Sequence, residues 1–454
     1  MAEWSIAAVL KTVVPQGTVG SNPTFSAKIK NALFRAFFVL PHSKNKNYMN
    51  TINTKSALIF ILITICLDSI GLGIIIPSFP TLISETAHVP FSEGSKYFGW
   101  VMGAYAFMQF LFSPLIGNLS DRFGRRPVLL ISVLGMGLDY IVMYFAPDLF
   151  WLVLGRAISG IFGASFTSAA AYIADISTPE KRAQNFGMIG AAFGIGFVIG
   201  PAIGGLLADF GTRTPFLVAA LFSIANFIYG LFVLKESLPV ENRRAFDWKR
   251  ANPLGAIQQI KRFKKLKYLF LVTFLTIITT MAVHSTWNFY SIEKFGWSIK
   301  EVGISLAVVG VCFGIVQGGL TGKIVGKFGQ KQSAKAGLFI SILVLLGMGL
   351  INQGWMMYAI IIPYAFSGIV DPAIRSIISS QVENNEQGEL QGIFTSLMSL
   401  GEIVGPPLFM WFFYTFKNSV PNSNIGLGTP FFVASIIGLI AFLLISWTLK
   451  EFKK

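Results

Sequence analysis

Charge is scarce in this chain. Of its 454 residues only 13% are Asp, Glu, Lys or Arg, about half the share found in an ordinary soluble domain. Metal-ligating side chains are scarcer still, with two cysteines and three histidines. Cys66 and Cys312 both fall inside apolar runs, which argues against a disulfide framework, and a His/Cys metal site has almost no material. A glycine-rich phosphate loop ending in Lys-Ser or Lys-Thr is lacking, so no nucleotide is expected. A nucleophile–base set is lacking too, so no catalytic residue is assigned and the chain is not expected to be an enzyme.

What is abundant is apolar. The chain is 53% hydrophobic with a mean hydropathy of +0.64, the composition of a protein whose solvent is a lipid bilayer. The formal net charge of +15 could suggest nucleic acid. However, the basic residues sit in short loops between apolar runs instead of on one amphipathic face, so no nucleic-acid partner is expected.

Residues 1–48 carry several Lys and Arg, almost no acid, and apolar runs too short to span a bilayer. They lack the ordered basic start, apolar core and small-residue site of a cleavable signal. Either they form a basic extension able to touch anionic lipid, or translation starts at Met49.

From Lys55 onward, apolar runs of about 20 residues follow one another, each able to cross ~30 Å of hydrocarbon. They lie near 56–77, 97–117, 127–145, 149–172, 184–208 and 214–234, then near 268–288, 301–321, 334–351, 355–378, 389–411 and 429–449. Twelve spans place both termini on one side. The loops at 118–127, 175–183, 235–267 and 322–335 are rich in Lys and Arg, whereas those near 78–96, 146–148, 209–213 and 418–428 carry little positive charge. By the positive-inside rule the basic loops and both termini are cytoplasmic. The loop at 379–388 holds Glu383 and Glu386 and no basic residue, and acids weigh little in that rule.

The turn Gly117-Asn-Leu-Ser-Asp-Arg-Phe-Gly-Arg-Arg-Pro127 joins the second and third spans. Gly117 and Gly124 permit a tight reversal, Asp121 can pair with an arginine across the turn, and Arg122, Arg125 and Arg126 hold it cytoplasmic. Its glycines and basic residues return 205 residues later as Gly322, Lys327, Phe328, Gly329 and Lys331, and Gly200-Pro201 returns at the same offset as Gly405-Pro406. Two landmarks at one offset imply two homologous six-helix bundles. We place them at 49–234 and 268–454, with 235–267 as a cytoplasmic linker. Internal repeats of this kind mark secondary transporters.

These stretches resemble the major facilitator superfamily from about Lys55 to Lys450. The 117–127 turn is similar to its signature hairpin, and Gly196-Phe-Val-Ile-Gly200-Pro201-Ala-Ile-Gly204-Gly205 resembles its antiporter motif, a mark of exporters. Leu67-Asp68-Ser-Ile-Gly71, Pro77, Pro80, Gln109, Leu138-Asp139-Tyr140, Gly155-Arg156, Tyr172-Ile-Ala-Asp175, Phe216, Trp287 and Gln387–Gly392 resemble the twelve-helix tetracycline/H+ antiporters. The resemblance implies two pseudo-symmetric six-helix bundles and exchange of protons for a small-molecule drug across a bacterial inner membrane. It also implies that the drug could arrive as a positively charged metal chelate, with the proton gradient as energy source and no cofactor. Two departures stand out. Phe313 takes the place of the family's eighth-span histidine before Gln317, and Gly337–Leu350 has no ionisable residue where the family keeps a ninth-span aspartate.

A charge at the bilayer centre costs ~3 kcal/mol even on the gentlest scale, so the intramembrane ones are the candidate site. Asp68 lies mid-span. It could bind a proton or a cationic substrate, and one site that takes either but not both gives obligatory exchange. The alternative is a packing aspartate. Asp139, functional by resemblance, could instead make a structural hydrogen bond. Arg156 cannot discharge, and it either faces the central cavity or snorkels to the surface. Asp371 and Arg375, four apart, can pair, and either Asp371 or Glu402 could stand in for the missing ninth-span carboxylate. Gln109 and Trp287 join these as candidate cavity residues, Trp287 with Phe289 and Tyr290. Asp121, Arg122, Arg125 and Arg126, with Asp175 as partner, would act on conformation. Asp121 would do so by capping a neighbouring helix in one state. Gly196, Gly200, Gly204 and Gly205 would give a small-residue packing face, kinked at Pro201.

Overall fold

A backbone in hydrocarbon must satisfy its own N–H and C=O groups, and within a single segment only the helix does so. The computed structural model describes residues 54–163, 165–177, 179–248, 252, 255, 260, 262–382, 387–419 and 424–451, all within the unit Ile52–Lys454. The extension 1–48 lies outside the described residues, as do Glu383 and Glu386. The first half holds α1 (Thr54–Ile75), α2 (Phe79–Thr86), α3 (Phe91–Phe123), α4 (Arg125–Phe145), α5 (Leu149–Phe162), α6 (Ser165–Ile176), α7 (Pro179–Leu207) and α8 (Thr214–Val233). The second holds α9 (Lys267–Phe295), α10 (Ile299–Ile315), α11 (Thr321–Phe328), α12 (Gln330–Leu350), α13 (Gly354–Ser367), α14 (Val370–Ser379), α15 (Gln387–Ser419) and α16 (Asn424–Glu451). No strand occurs among the described residues. Among the described residues eleven segments are long and apolar enough to cross a membrane, and the shorter apolar α5 makes the fourth of twelve spans.

The repeat seen in the residues is also a repeat of backbone geometry. The basic turn is narrower than its sequence suggests. Helix α3 runs to Phe123 and α4 begins at Arg125, so Gly117 is helical and Gly124 alone makes the reversal, at φ +103°. Gly329, 205 residues on, separates α11 from α12 at φ +78°. Glycine meets no Cβ penalty at such angles. Gly163 breaks the fourth span at φ −61°, ψ −13°, and Gly368, at the same offset, breaks the tenth at φ −61°, ψ −9°.

The halves meet at the end of the bundle away from the basic turns. There α7 packs between α1 and α10, and α15 between α9 and α3. Between the halves, a Cβ on Gly205 would come 3.1 Å from Gly303 Cα and one on Gly99 2.9 Å from Pro407 Cα; within the first half, one on Gly200 would come 2.7 Å from Gly73 Cα. The four motif glycines therefore do not share one face. Gly196, Gly200 and Gly204 lie against α1, whereas Gly205 turns to α10. Phe289 of α9 packs on Phe91 and Phe98 of α3, with centroids 4.9 and 5.3 Å away, and Asn288 donates to the Ile76 carbonyl at 2.6 Å. Lys300 pairs with Asp209 at 3.2 Å. Towards the basic end the same seam opens. Gly310 lies against Val198, but the next turns along these faces carry Gly194 and Gly314, then Gly190 and Gly318, and nothing lies within 4 Å of where their Cβ atoms would sit.

This contrast predicts unequal effects from one methyl group. Gly303→Ala drives a Cβ into the Pro201 carbonyl across the seam and is expected to destabilise by about 1–3 kcal/mol through overpacking. Gly190→Ala is expected to be neutral or to gain up to about 1 kcal/mol from helix propensity. Thermal unfolding in detergent would measure both, and equal shifts would contradict the seam.

Candidate functional site

Polar side chains meet in the interior of the first half because four packed helices each bring a charged or amide residue among mostly apolar neighbours. Asp68, half-buried on α1, accepts a hydrogen bond from Nδ2 of Asn226 on α8 at 3.2 Å. The same nitrogen reaches the Thr64 carbonyl at 3.4 Å, and the Thr64 hydroxyl donates to Asn226 Oδ1 at 3.2 Å. With its oxygen engaged by Thr64, Asn226 turns its amide donors to the carboxylate. No ion pair to Asp68 forms among the described residues.

Asp139 on α4 and Arg156 on α5 form a buried ion pair, Nη2 to Oδ2 2.5 Å, with side chains 0% and 4% exposed. Arg156 therefore points inward and does not snorkel. Gly155 makes room for this pair, since a Cβ there would lie 2.7 Å from Asp139 Oδ1. The guanidinium also stands 5.4 Å from the Phe79 ring centre and 5.6 Å from that of Tyr105, within cation–π range. The pairing is incomplete: Asp139 Oδ1, Arg156 Nε and the Tyr140 hydroxyl are buried without a hydrogen-bond partner. Each such atom costs about 1–3 kcal/mol, so three in one place call for an explanation beyond packing. The Tyr140 hydroxyl lies within electrostatic reach of Arg156, Asp139 and Asp68. The hydroxyl of Tyr105, on α3, lies within reach of Arg156, Asp139 and Glu402. The two phenols thus share the electrostatic surroundings of these carboxylates and of the guanidinium.

The second half supplies fewer interior charges. Glu402 is half-buried on α15. Asp371 pairs with Arg375 along α14, Nε to Oδ2 2.7 Å, with Asp371 half-exposed, and the Arg375 guanidinium lies 4.5 Å from the Phe394 ring centre. Trp287, Phe289 and Tyr290 are at most 1% exposed. Trp287 donates its indole N–H to Ser305 at 3.0 Å, and Tyr290 donates to the Met348 carbonyl. Gln109 is half-buried on α3.

At the basic end, Arg125 joins two acids, Asp121 at 2.5 Å and Asp175 at 3.1 Å. Ser237 adds a hydrogen bond to Asp175 at 3.0 Å. The acid that caps α4 is Glu236, not Asp121. It accepts from the Arg125 and Arg126 N–H groups at 2.8 and 3.3 Å, where the helix dipole favours negative charge. Asp121 is already held by Arg125, four residues on. Arg126 donates to the Leu234 and Leu231 carbonyls that end α8, at 2.6 and 2.9 Å. Arg122 is exposed beside Phe123. Gly117 has no neighbour within 4 Å of a would-be Cβ, so no close approach requires it here.

Asn226, Glu236, Tyr105 and Gly155 do work that residue patterns did not assign. Asn226 carried one signal, as an amide in the otherwise apolar Thr214–Val233. Glu236 follows directly on that span, but nothing in its local sequence points to α4.

A bundle of this kind, closed at one end around buried charges, is the architecture of a membrane transporter. The Major Facilitator Superfamily profile matches residues 61–406, and the chain belongs to that family. It is 38% identical to the class C tetracycline resistance protein of Escherichia coli over 78% of this chain and 88% of that protein. The class D protein of Salmonella ordonez is 35% identical over 83% and 94%. Hippocampus abundant transcript-like protein 1 of Homo sapiens is 28% identical over 86% and 80%. The fold is shared with the nucleoside transporter NupG, TM-score 0.72 at 13% identity over 88% of this chain and 100% of that one. It is also shared with the human organic anion transporter MFSD10, TM-score 0.66 at 22% identity over 87% and 100%. The chain is a multi-pass membrane transporter of the drug-exporter kind.

The Asp139–Arg156 pair yields a double-mutant prediction. Arg156→Gln alone strands a buried carboxylate and should cost about 3–5 kcal/mol. Asp139→Asn with Arg156→Gln removes both charges and should cost clearly less than the sum of the single changes. Thermal unfolding of all four proteins would test this, and strict additivity would mean that the pair is uncoupled.

Proposed function

We propose that this protein exports tetracycline, carried as a positively charged metal chelate, in exchange for protons moving inward. The observation that carries this reading is the charge network just described. It sits in a bundle whose halves are sealed at one end by small-residue contacts and parted at the other. By charge distribution the parted end is cytoplasmic, so this conformation receives substrate from the cytoplasm of a bacterial cell, with both termini on that side of its inner membrane. The similarity to several tetracycline resistance proteins over most of their length supports the substrate.

In this scheme Asp68 binds the positive substrate or a proton, never both, and Asn226 orients its carboxylate. Arg156 competes with substrate and proton for Asp139, so a charge arriving at one carboxylate changes the field at the other through Tyr140. Rocking about the seam then carries the occupied site to the opposite face. One proton returning for one singly charged chelate moves no net charge, so the proton concentration difference supplies the work; each further proton would add about 2.3 kcal/mol per 100 mV of membrane potential, and protonated carboxylates cross the closed state at lower cost than charged ones. The Arg125 cluster and Glu236 hold the cytoplasmic ends of α3, α4 and α8 together as one body.

A second reading, export of a different drug or metabolite, is favoured by one observation. Phe313, in place of a polar residue of the resembling family, packs on Tyr364 with ring centres 5.0 Å apart, which makes that wall more apolar.

Cells producing the full chain are expected to accumulate less tetracycline than controls, with the deficit abolished by a protonophore. Unchanged accumulation with membrane-inserted protein would eliminate tetracycline and favour the second reading. Asp68→Asn is expected to reduce drug-driven proton release at least tenfold in membrane vesicles, and wild-type release from that variant would remove Asp68 as the coupling site.

A further inference from the structure

The first half supplies Asp68, Asp139 and Arg156 to the centre, but no second-half partner has yet been assigned. Two carboxylates compete for that role, and the structure separates them. Asp371 is neutralised within its own helix by Arg375 at 2.7 Å, is half-exposed, and lies beyond the Gly368 break. Glu402 forms no ion pair or hydrogen bond among the described residues.

The position of Glu402 on α15 follows from its neighbours. Gly401 and Gly405 rest on Ile277 and Met281 of α9, and Ile403 and Pro407 meet Gly99 and Gly103 of α3. Val404 and Trp411 are 44% and 58% exposed and mark the outward face. At about 100° per residue, Glu402 lies about 170° around the helix from these two. It therefore looks into the bundle from the wall between α9 and α3. Tyr105 of α3, whose hydroxyl abuts Gly163, 2.7 Å from a would-be Cβ, lies within electrostatic reach of Glu402. The Tyr105 ring flanks the Arg156 guanidinium at 5.6 Å.

We infer that Glu402 is the exchange carboxylate of the second half: it takes either a proton or the positive charge of the substrate, and Tyr105 links it to the Asp139–Arg156 pair across the central space. The inference rests on the proton-exchange reading above. Arrival of the cation releases the proton from the carboxyl group to the solvent on that side, and departure of the cation lets a proton return, so charge at Glu402 balances at each step. The other ionisable groups on the packed helices stand clear. On α9 the nearest in register is His284, six residues beyond the level of Glu402 or ~9 Å along the axis. On α3 it is Lys96, held by Glu93 and the Tyr414 ring near the sealed end. On α16 no ionisable residue precedes Lys450.

The test uses inverted membrane vesicles carrying the full-length protein, with magnesium–tetracycline uptake and proton release recorded together across a range of pH. Glu402→Gln is expected to lose at least tenfold in gradient-driven uptake and in protons released per drug, while downhill equilibration of tetracycline persists. Glu402→Asp should restore coupled uptake with a displaced pH profile, and Asp371→Asn should keep coupling. Wild-type proton release from Glu402→Gln, or loss of coupling in Asp371→Asn in its place, would overturn the assignment. If Glu402→Gln fails to reach the membrane, Glu402→Asp decides, and a pH profile identical to wild type overturns the assignment. Wild-type vesicles showing no tetracycline–proton exchange would overturn the tetracycline reading itself, and this assignment with it.

Discussion

Close backbone contact at one end of the bundle is the constraint on which the rest of the structure depends. Gly205 against Gly303 and Gly99 against Pro407 bring the halves together at distances that a single Cβ would prevent, and Gly73 against Gly200 does the same for two helices of the first half. Apolar area gives no net attraction between helices in lipid, so this fit and a few hydrogen bonds must hold the halves. The exchange groups sit just inside it. Asp68 is five residues from Gly73 and Glu402 four from Pro406, about 6–8 Å along their helices. Motion about the seam therefore changes solvent access to these carboxylates while moving them little.

Beneath the seam, the Asp139–Arg156 pair contributes little obvious stability. A buried ion pair seldom outperforms an apolar replacement, because desolvation offsets the attraction. This one also leaves two of its own buried polar atoms, Asp139 Oδ1 and Arg156 Nε, without partners. What the arrangement does provide is responsiveness: a carboxylate with one oxygen committed and one free can exchange partners without dismantling the fold. The aromatic rings of Phe79 and Tyr105 keep the guanidinium in place while its carboxylate contact changes.

Much of this architecture was legible in the residues because lipid simplifies the code. Long apolar runs can only be spans, and the 205-residue offset survives as matched φ angles at Gly124 and Gly329 and matched breaks at Gly163 and Gly368. Arg156 and Asp139 were found because charge in hydrocarbon is conspicuous. Residues that act through space were not found. Glu236 caps a helix that begins 111 positions earlier, and Tyr105 matters only because α3 crosses both α5 and α15. Gly205 and Gly117 were misjudged for a related reason. Helical spacing says which residues share a face, but not which neighbour that face meets.

The two hairpins, alike in backbone, differ in their charges. Asp121, Arg125 and Asp175 tie the first half's turn to its neighbouring helix, yet 205 residues on their counterparts are Gly326, Gln330 and Ser380, which can form no ion pair. Among the described residues, one bundle is cross-braced by ion pairs at its cytoplasmic end and the other is not. A rocking motion would then find the first half's turn held in shape and its softer point in the second, at the wide helical turn Val316–Leu320. A pseudo-symmetric molecule thereby performs an asymmetric stroke.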